Sequence, residues 1–278
     1  MSNNFNIIFN SSHYDSVKKQ FTYKLPVPTK FEKKKVALAY CSIYKQWENI
    51  SADYGNNKFT IRWINNVDYT FTIPDGNYSI SQINDFIEYS LYQNKLYYSA
   101  TSSSEQIIVN INLVTNSTLY GSQLNIFPVP TSATATASSY AVPSGASWSF
   151  PSVATNPTIT FSESFGKLIG FAAGTYGSGI TTLSINSSLT PQIAVVNALL
   201  IQTNLLNVNY VNPPDVLTAI SLDGEYGSLL KYQGQQLLYT PISANNFSEI
   251  AISFSDQNLN RLSIKDTEVC IILSIVDV

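Results

Sequence analysis

Charge is scarce in this chain, with only 12% of its 278 residues Asp, Glu, Lys or Arg, roughly half the usual share. Histidine occurs once, at His13, and cysteine twice, at Cys41 and Cys270. A single imidazole excludes sites that need two or more, such as HExxH zinc centres. A Ser-His-Asp triad would have to use His13, which stands in a polar stretch and reads as a surface residue. The two cysteines lie far apart in sequence and make no disulfide framework; both are expected to be small buried hydrophobes. No apolar run approaches the roughly 20 residues that span a bilayer, so no membrane span is expected. Met1-Ser-Asn-Asn4 lacks the basic-then-apolar pattern of a secretory signal, and the chain is expected to be soluble and made without one. What is present is apolar: 44% hydrophobic and 13% aromatic residues can bury a large core and exclude wholesale disorder.

Motifs for chemistry are also missing. No GxxxxGK[ST] occurs, and the cluster Gly166, Gly170, Gly174, Gly177 and Gly179 fits neither that loop nor GxGxxG; it is expected to mark bends between strands. Asp223 with Glu225, and Asp266 with Glu268, are paired carboxylates of the type that flank a glycosidic bond or hold calcium. On loops such pairs are mostly solvated turn formers. No catalytic, cofactor-binding or metal site is therefore assigned, no cofactor is expected, and the protein is read as a non-enzyme. Six N-x-[ST] sequons, at Asn10, Asn49, Asn77, Asn116, Asn186 and Asn246, reflect a chain rich in Asn and Ser.

The few charges are unevenly spread. From Lys18 to Arg62 there are ten Lys or Arg against Glu32, Glu48 and Asp53, a net +7 that leaves −10 elsewhere. From Gln106 to Pro214 the only charged residues are Glu163 and Lys167. Free surfaces usually carry both signs, so this middle is either covered by another chain or solvated by Ser, Thr, Asn and Gln. The basic block, interleaved with Phe21, Tyr23 and Phe31, is too weak for a nucleic-acid reader and is read as solvated or interface charge.

Strand signatures rich in β-branched and aromatic residues recur: 5–9, 20–25, 36–44, 58–64, 69–73, 106–114, 118–127, 180–185, 194–205, 249–254 and 269–276. Turn formers separate them, including Pro74-Asp-Gly76, Asn212-Pro-Pro-Asp215 and Leu222-Asp-Gly224. One segment has a different period. In 79–93 the residues Ile80, Ile83, Phe86, Ile87 and Leu91 fall at helical spacing, Ser79 with Gln82 fits a capping box, and Asn94 with Lys95 makes an end. Residues 128–157 thin to Pro, Ser, Thr and Ala, a low-complexity excursion too long for an ordinary loop. Its Tyr140, Trp148 and Phe150 either dock back on the protein or meet a partner. The expectation is an all-β protein: one jelly-roll β-sandwich domain over 1–278, with one amphipathic helix and the 128–157 excursion or small insert. Alternation alone leaves an immunoglobulin-like sandwich open.

Several phrases in order resemble one family. Val36-Ala-Leu-Ala-Tyr-Cys-Ser-Ile-Tyr-Lys-Gln-Trp-Glu-Asn-Ile50 followed by Asn56-Asn-Lys-Phe-Thr-Ile-Arg-Trp63 resembles the early strands of the minor capsid, or penton, proteins of virophages and Polinton-like (Maverick-type) viruses. Thr72-Ile-Pro-Asp-Gly-Asn-Tyr-Ser-Ile80, Phe165-Gly-Lys-Leu-Ile-Gly-Phe171, Gly174-Thr-Tyr176, Pro191-Gln-Ile193, Asp256-Gln-Asn-Leu259 and Leu262-Ser-Ile-Lys-Asp266 continue the order. The resemblance implies a vertex subunit of the virion, assembled in the host cell as a homopentamer beside a double jelly-roll major capsid protein. A closed ring of five needs a heterologous interface. Competing readings are a carbohydrate- or receptor-binding β-sandwich, such as a fibre head or lectin using Trp148, and an enzyme on a jelly-roll scaffold.

Overall fold

A computed structural model describes residues 4–100, 106–207 and 213–277. Met1 to Asn3 of the N-terminal stretch, and Asn212 of the turn expected before Asp215, lie outside the described residues. The protein is mainly β. Residues 1–47 with 196–278 form one compact unit, and residues 48–195 form a second.

Eight strands frame the first unit. In chain order they are β1 (Phe5–Phe9), β2 (Gln20–Lys30), β3 (Lys34–Tyr44), β4 (Ala198–Thr203), β5 (Val216–Ser221), β6 (Leu229–Gln233), β7 (Asn246–Ser255) and β8 (Cys270–Asp277). One sheet runs β1-β8-β3-β6, the other β2-β7-β4-β5, and every pairing is antiparallel. Short strands extend them: Thr240–Pro241 pairs with β3, and Tyr14–Asp15 pairs with the start of β2. The first strand thus lies beside the last, and the chain changes sheet at every connection except β4 to β5. That order is a jelly roll of two Greek keys, and it excludes the immunoglobulin arrangement, whose second sheet has three or five strands in another order.

Period-2 alternation sends one face of each sheet inward. Ile271, Leu273 and Ile275 of β8, Val36, Leu38 and Ile43 of β3, Leu199 and Ile201 of β4, and Ile250, Ile252 and Phe254 of β7 share one core. Each such side chain contributes about 1.5–3 kcal/mol of burial. β2 departs from the pattern. Its Pro26 and Pro28 cannot donate to a ladder, and residues 25–28 have no partners on β7, whose register shifts at Phe247/Glu249.

The second unit, inserted in the chain between β3 and β4, has its own core. A four-stranded sheet orders Asp68–Thr72, Lys58–Arg62, Thr158–Phe161 and Gly174–Tyr176; a three-stranded sheet orders Ile111–Asn116, Gly121–Ile126 and Leu183–Asn186; a third joins Gln106–Ile108, Tyr98–Ala100 and Tyr140–Ala141. Among the described residues three α-helices lie here: α1 (Ile80–Gln93), α2 (Ser132–Ala137) and α3 (Glu163–Ile169). α1 is the helix read from the sequence, with the Ser79–Gln82 capping box formed and Ile80, Ile83, Ile87 and Leu91 buried.

The other two helices correct the expectation of a single one. α3 has the usual signals: Ser162 Oγ accepts from the Phe165 N–H, Glu163 opens the first turn, and Gly170 ends the helix at φ +88°. The glycine cluster therefore does not mark strand bends alone. Gly166 sits inside α3, where a Cβ would come within 2.5 Å of the Phe171 carbonyl oxygen, and Gly170 supplies the left-handed cap. Gly174 opens the strand Gly174–Tyr176 and Gly177 follows it.

Segment 128–157 is folded into the second unit. It contains α2 and the strand Tyr140–Ala141, and it buries Val129, Ala135 and Trp148. Trp148 packs edge-on against Trp63 and Phe150, with ring centroids 5.3 and 5.7 Å away, and its Nε1–H donates to the Lys95 carbonyl at 2.6 Å.

Candidate functional site

Each candidate for chemistry has a structural occupation. His13 closes a 3-10 turn in a capping box with Asn10 and lies edge-on to Phe9. Asp223 accepts from Ser221 Oγ at 3.1 Å on an exposed turn, and Asp266 Oδ1 accepts from the Glu268 N–H at 2.9 Å. Among the described residues no group of three or more His, Cys, Asp or Glu could hold a metal ion, and no helix is long and apolar enough to cross a membrane.

The two cysteines are brought together. Ile271 pairs with Cys41 and Cys270 with Ser42, so the thiols lie on neighbouring strands, both free. Cys41 is fully buried and Cys270 only half-buried, so the expectation of two buried cysteines holds for the first alone. Burial, then the nearby Cys270, pushes the Cys41 thiol up to about 12, which makes it unreactive near neutrality.

The sequons are also largely occupied. Asn49 is buried: its side-chain amide donates to the Tyr78 and Ile193 carbonyls at 2.8 and 2.9 Å, and its Oδ1 accepts from the Tyr78 N–H. Asn116 donates to Asn186 at 3.1 Å.

The basic block is divided between the two units. Lys58 and Arg62 belong to the second unit, where Arg62 makes a two-pronged contact with Asp68 at 2.7 and 2.9 Å. That hydrogen bond holds the Asp68 carboxyl below its ordinary range. Lys18, Lys19, Lys24, Lys30 and Lys33 are exposed in the first unit, on and around β2.

The nearly uncharged middle presents polar sheet faces. Across the four-stranded sheet Thr70, Thr60, Thr160 and Thr175 stand in one row, with hydroxyl contacts of 2.9 and 2.8 Å between the outer pairs. On the three-stranded sheet Asn112, Asn116, Gln123, Asn125, Ser184 and Asn186 share one face. On the three-stranded sheet carboxamide and hydroxyl groups replace charge, while the Thr row shares its face with Lys58, Arg62 and Asp68.

Two features of the jelly roll remain, one missed in the sequence and one read there only as the turn Leu222-Asp-Gly224 with its carboxylate pair. The first is an open cavity of about 510 Å³ between the edge strands β1 and β2, lined mainly by Phe5, Ile7, Ile8, Tyr23, Leu25 and Phe31. Lys34 Nζ lies 5.6 Å from the Phe5 ring centroid and pairs with Asp277 at 2.6 Å. The signal was Pro26-Val-Pro28 inside a strand pattern, which marks an edge. The second is the loop Leu222–Ser228 between β5 and β6. Lys45 Nζ donates to the Leu222 and Gly224 carbonyls at 3.1 and 2.8 Å, and Ser228 Oγ donates to the Glu225 carbonyl at 2.6 Å. Gly224 and Gly227 take φ values of +100° and +82°, which favour glycine. The loop is thus fixed with Asp223, Glu225 and Tyr226 exposed.

No protein-family profile and no curated protein matches the chain. Solved structures do. The chain resembles virophage proteins. It is similar over 99% of its length to 98% of the mavirus penton protein, at 7% identity and a TM-score of 0.44. It is similar over the same share to 97% of a chain in the cryo-EM structure of the Sputnik virophage, at 10% identity and a TM-score of 0.38.

Proposed function

We propose that this chain is a structural protein of a viral capsid, a vertex subunit that forms homopentamers and joins a shell built from a double jelly-roll major capsid protein. The observation that carries this reading is the strand order β1-β8-β3-β6 over β2-β7-β4-β5, a single jelly roll with a second unit inserted between β3 and β4. The ordered sequence phrases from Val36 to Asp266 support the vertex role. The carboxylate pairs serve turns, and Trp148, the aromatic on which a lectin reading leaned, is buried with its N–H bonded. The protein works as a non-enzymatic building block of the virion, made in the host cell. Sedimentation of the full chain, alone and with its cognate shell protein, tests this. Pentamers and incorporation into particles are expected; a chain that stays monomeric at high concentration and never enters particles overturns the reading.

A further inference from the structure

The chain contains two Asp-Gly dipeptides, Asp75-Gly76 and Asp223-Gly224, and no Asn-Gly. In such a pair the glycine nitrogen can reach the aspartyl Cγ, because glycine carries no Cβ to shield it and turns freely about φ. The fold treats the two pairs differently. At the first, the Gly76 N–H donates to the Ile50 carbonyl at 2.9 Å, and the Gly76 carbonyl accepts from the Asn49 and Ile50 N–H groups at 3.0 Å. The Asp75 carboxylate accepts from the Ala52 N–H at 2.8 Å. Nitrogen and carboxylate are thus each held by a separate backbone partner. At the second, both residues are exposed, and among the described residues neither the Asp223 carbonyl nor the Gly224 N–H has a hydrogen-bond partner. Lys45 Nζ holds the Leu222 and Gly224 carbonyls on either side of this peptide unit and leaves the unit itself untied. The Asp223 carboxylate has one contact among the described residues, Ser221 Oγ at 3.1 Å.

We propose that Asp223-Gly224 is a site of spontaneous isoaspartate formation, and that the fold protects Asp75-Gly76 from the same reaction. The Gly224 nitrogen bonds to Asp223 Cγ; its proton leaves with the carboxyl hydroxyl as water, and a succinimide ring closes. Water then adds back to one of the two imide carbonyls. Opening at the former side-chain carbonyl restores aspartate. Opening at the main-chain carbonyl breaks the original peptide bond and leaves the chain running through Cβ and Cγ, with a free α-carboxylate. One water is lost and one gained, so the mass is unchanged and no oxidant, reductant or cofactor takes part. The product has one more backbone carbon between the two carbonyls that Lys45 holds, so their spacing no longer suits a single ammonium and the loop Leu222–Ser228 is released. The new α-carboxylate is the group that a protein carboxyl methyltransferase esterifies with S-adenosylmethionine, which names the class of enzyme able to read this site. The inference stands apart from the capsid reading and does not depend on it.

Peptide mapping of the full chain after warm incubation in mildly acidic buffer, once native and once in urea, tests it. In urea the peptides containing Asp75 and Asp223 should convert at similar rates, each giving a second chromatographic peak of unchanged mass whose fragments carry the isoaspartate signature. In the native chain the Asp223 peptide should still convert, while the Asp75 peptide slows roughly tenfold or more, since two hydrogen bonds must open before its ring can close. A purified carboxyl methyltransferase with isotope-labelled S-adenosylmethionine should mark the Asp223 peptide of the native, aged chain. A native chain that leaves Asp223 unconverted, or that converts Asp75 as fast as Asp223, overturns the inference. Asp223→Glu lengthens the side chain by one methylene at an exposed position, so the variant should melt like the wild type and lose the second peak at that peptide; a peak that persists there overturns the inference equally.

Discussion

Asn84 shows how a polar side chain earns a buried place. On the inward side of α1, its amide donates to Glu88 at 2.8 Å and its Oδ1 accepts from the Leu113 N–H at 2.7 Å, capping the backbone of a neighbouring strand. Asn84→Ala leaves that N–H unpaired and should cost about 1–3 kcal/mol, read as a lower urea midpoint. Cys41 gives a pH-dependent case. Its folded value is raised above the ordinary 9.0 to about 12 by burial, so the stability it contributes is whole below pH 9 and is lost as pH rises toward 12. Cys41→Ala should flatten that part of the alkaline loss in denaturation curves taken at increasing pH; an equally steep decline would count against it. The carboxylate pairs were legible as turn residues because their neighbours are local in sequence; His13, read as a surface residue, closes a 3-10 turn. Trp148 was not placed, since Trp63 and Lys95, its partners, lie more than fifty residues away.

At the scale of elements, segments rich in aromatic and β-branched residues or with a clear helical period were readable, and mixed short ones were not. α1 and the strands β1, β3 and β8 match their expected ranges closely. β5 and β6 were missed: Val-Leu-Thr-Ala-Ile-Ser and Leu-Leu-Lys-Tyr-Gln alternate over only five or six residues, and tertiary pairing to β4 and β3 fixes them. α3 was hidden by its glycines, although Ser162, Glu163 and Gly170 spell a start and a stop. Gly170→Ala puts a Cβ 2.6 Å from the Leu189 carbonyl oxygen at a φ of +88°, and should lower the melting point of the second unit through both strain and crowding. Ile83→Asp places an unpaired charge in the core beneath α1 and should cost several kcal/mol. Unchanged melting of that variant would show that the helix face contributes no burial.

For the whole molecule, the all-β class and the jelly roll were legible, while the 148-residue inserted unit was not. Its strands share the composition of the framework, so no shift in residue usage marks the boundaries at Glu48 and Val195. The bond from Asn49 to the Ile193 carbonyl at 2.9 Å ties its two ends together, the arrangement that lets a unit be inserted into a host fold. Residues 48–195 expressed alone should therefore fold cooperatively, giving a sigmoidal urea transition and dispersed amide resonances; a disordered product would refute its autonomy. The strand order also sets a timetable. β8, the last framework strand to leave the ribosome, is the one that fills the gap between β1 and β3, so the first sheet stays incomplete until it emerges. The inserted unit is contiguous and meets no such delay. The nascent chain can therefore pair β6 with β3 and β5 with β4 while β1 still waits for β8, so the two sides of the sandwich form in a fixed order, the β1 side last.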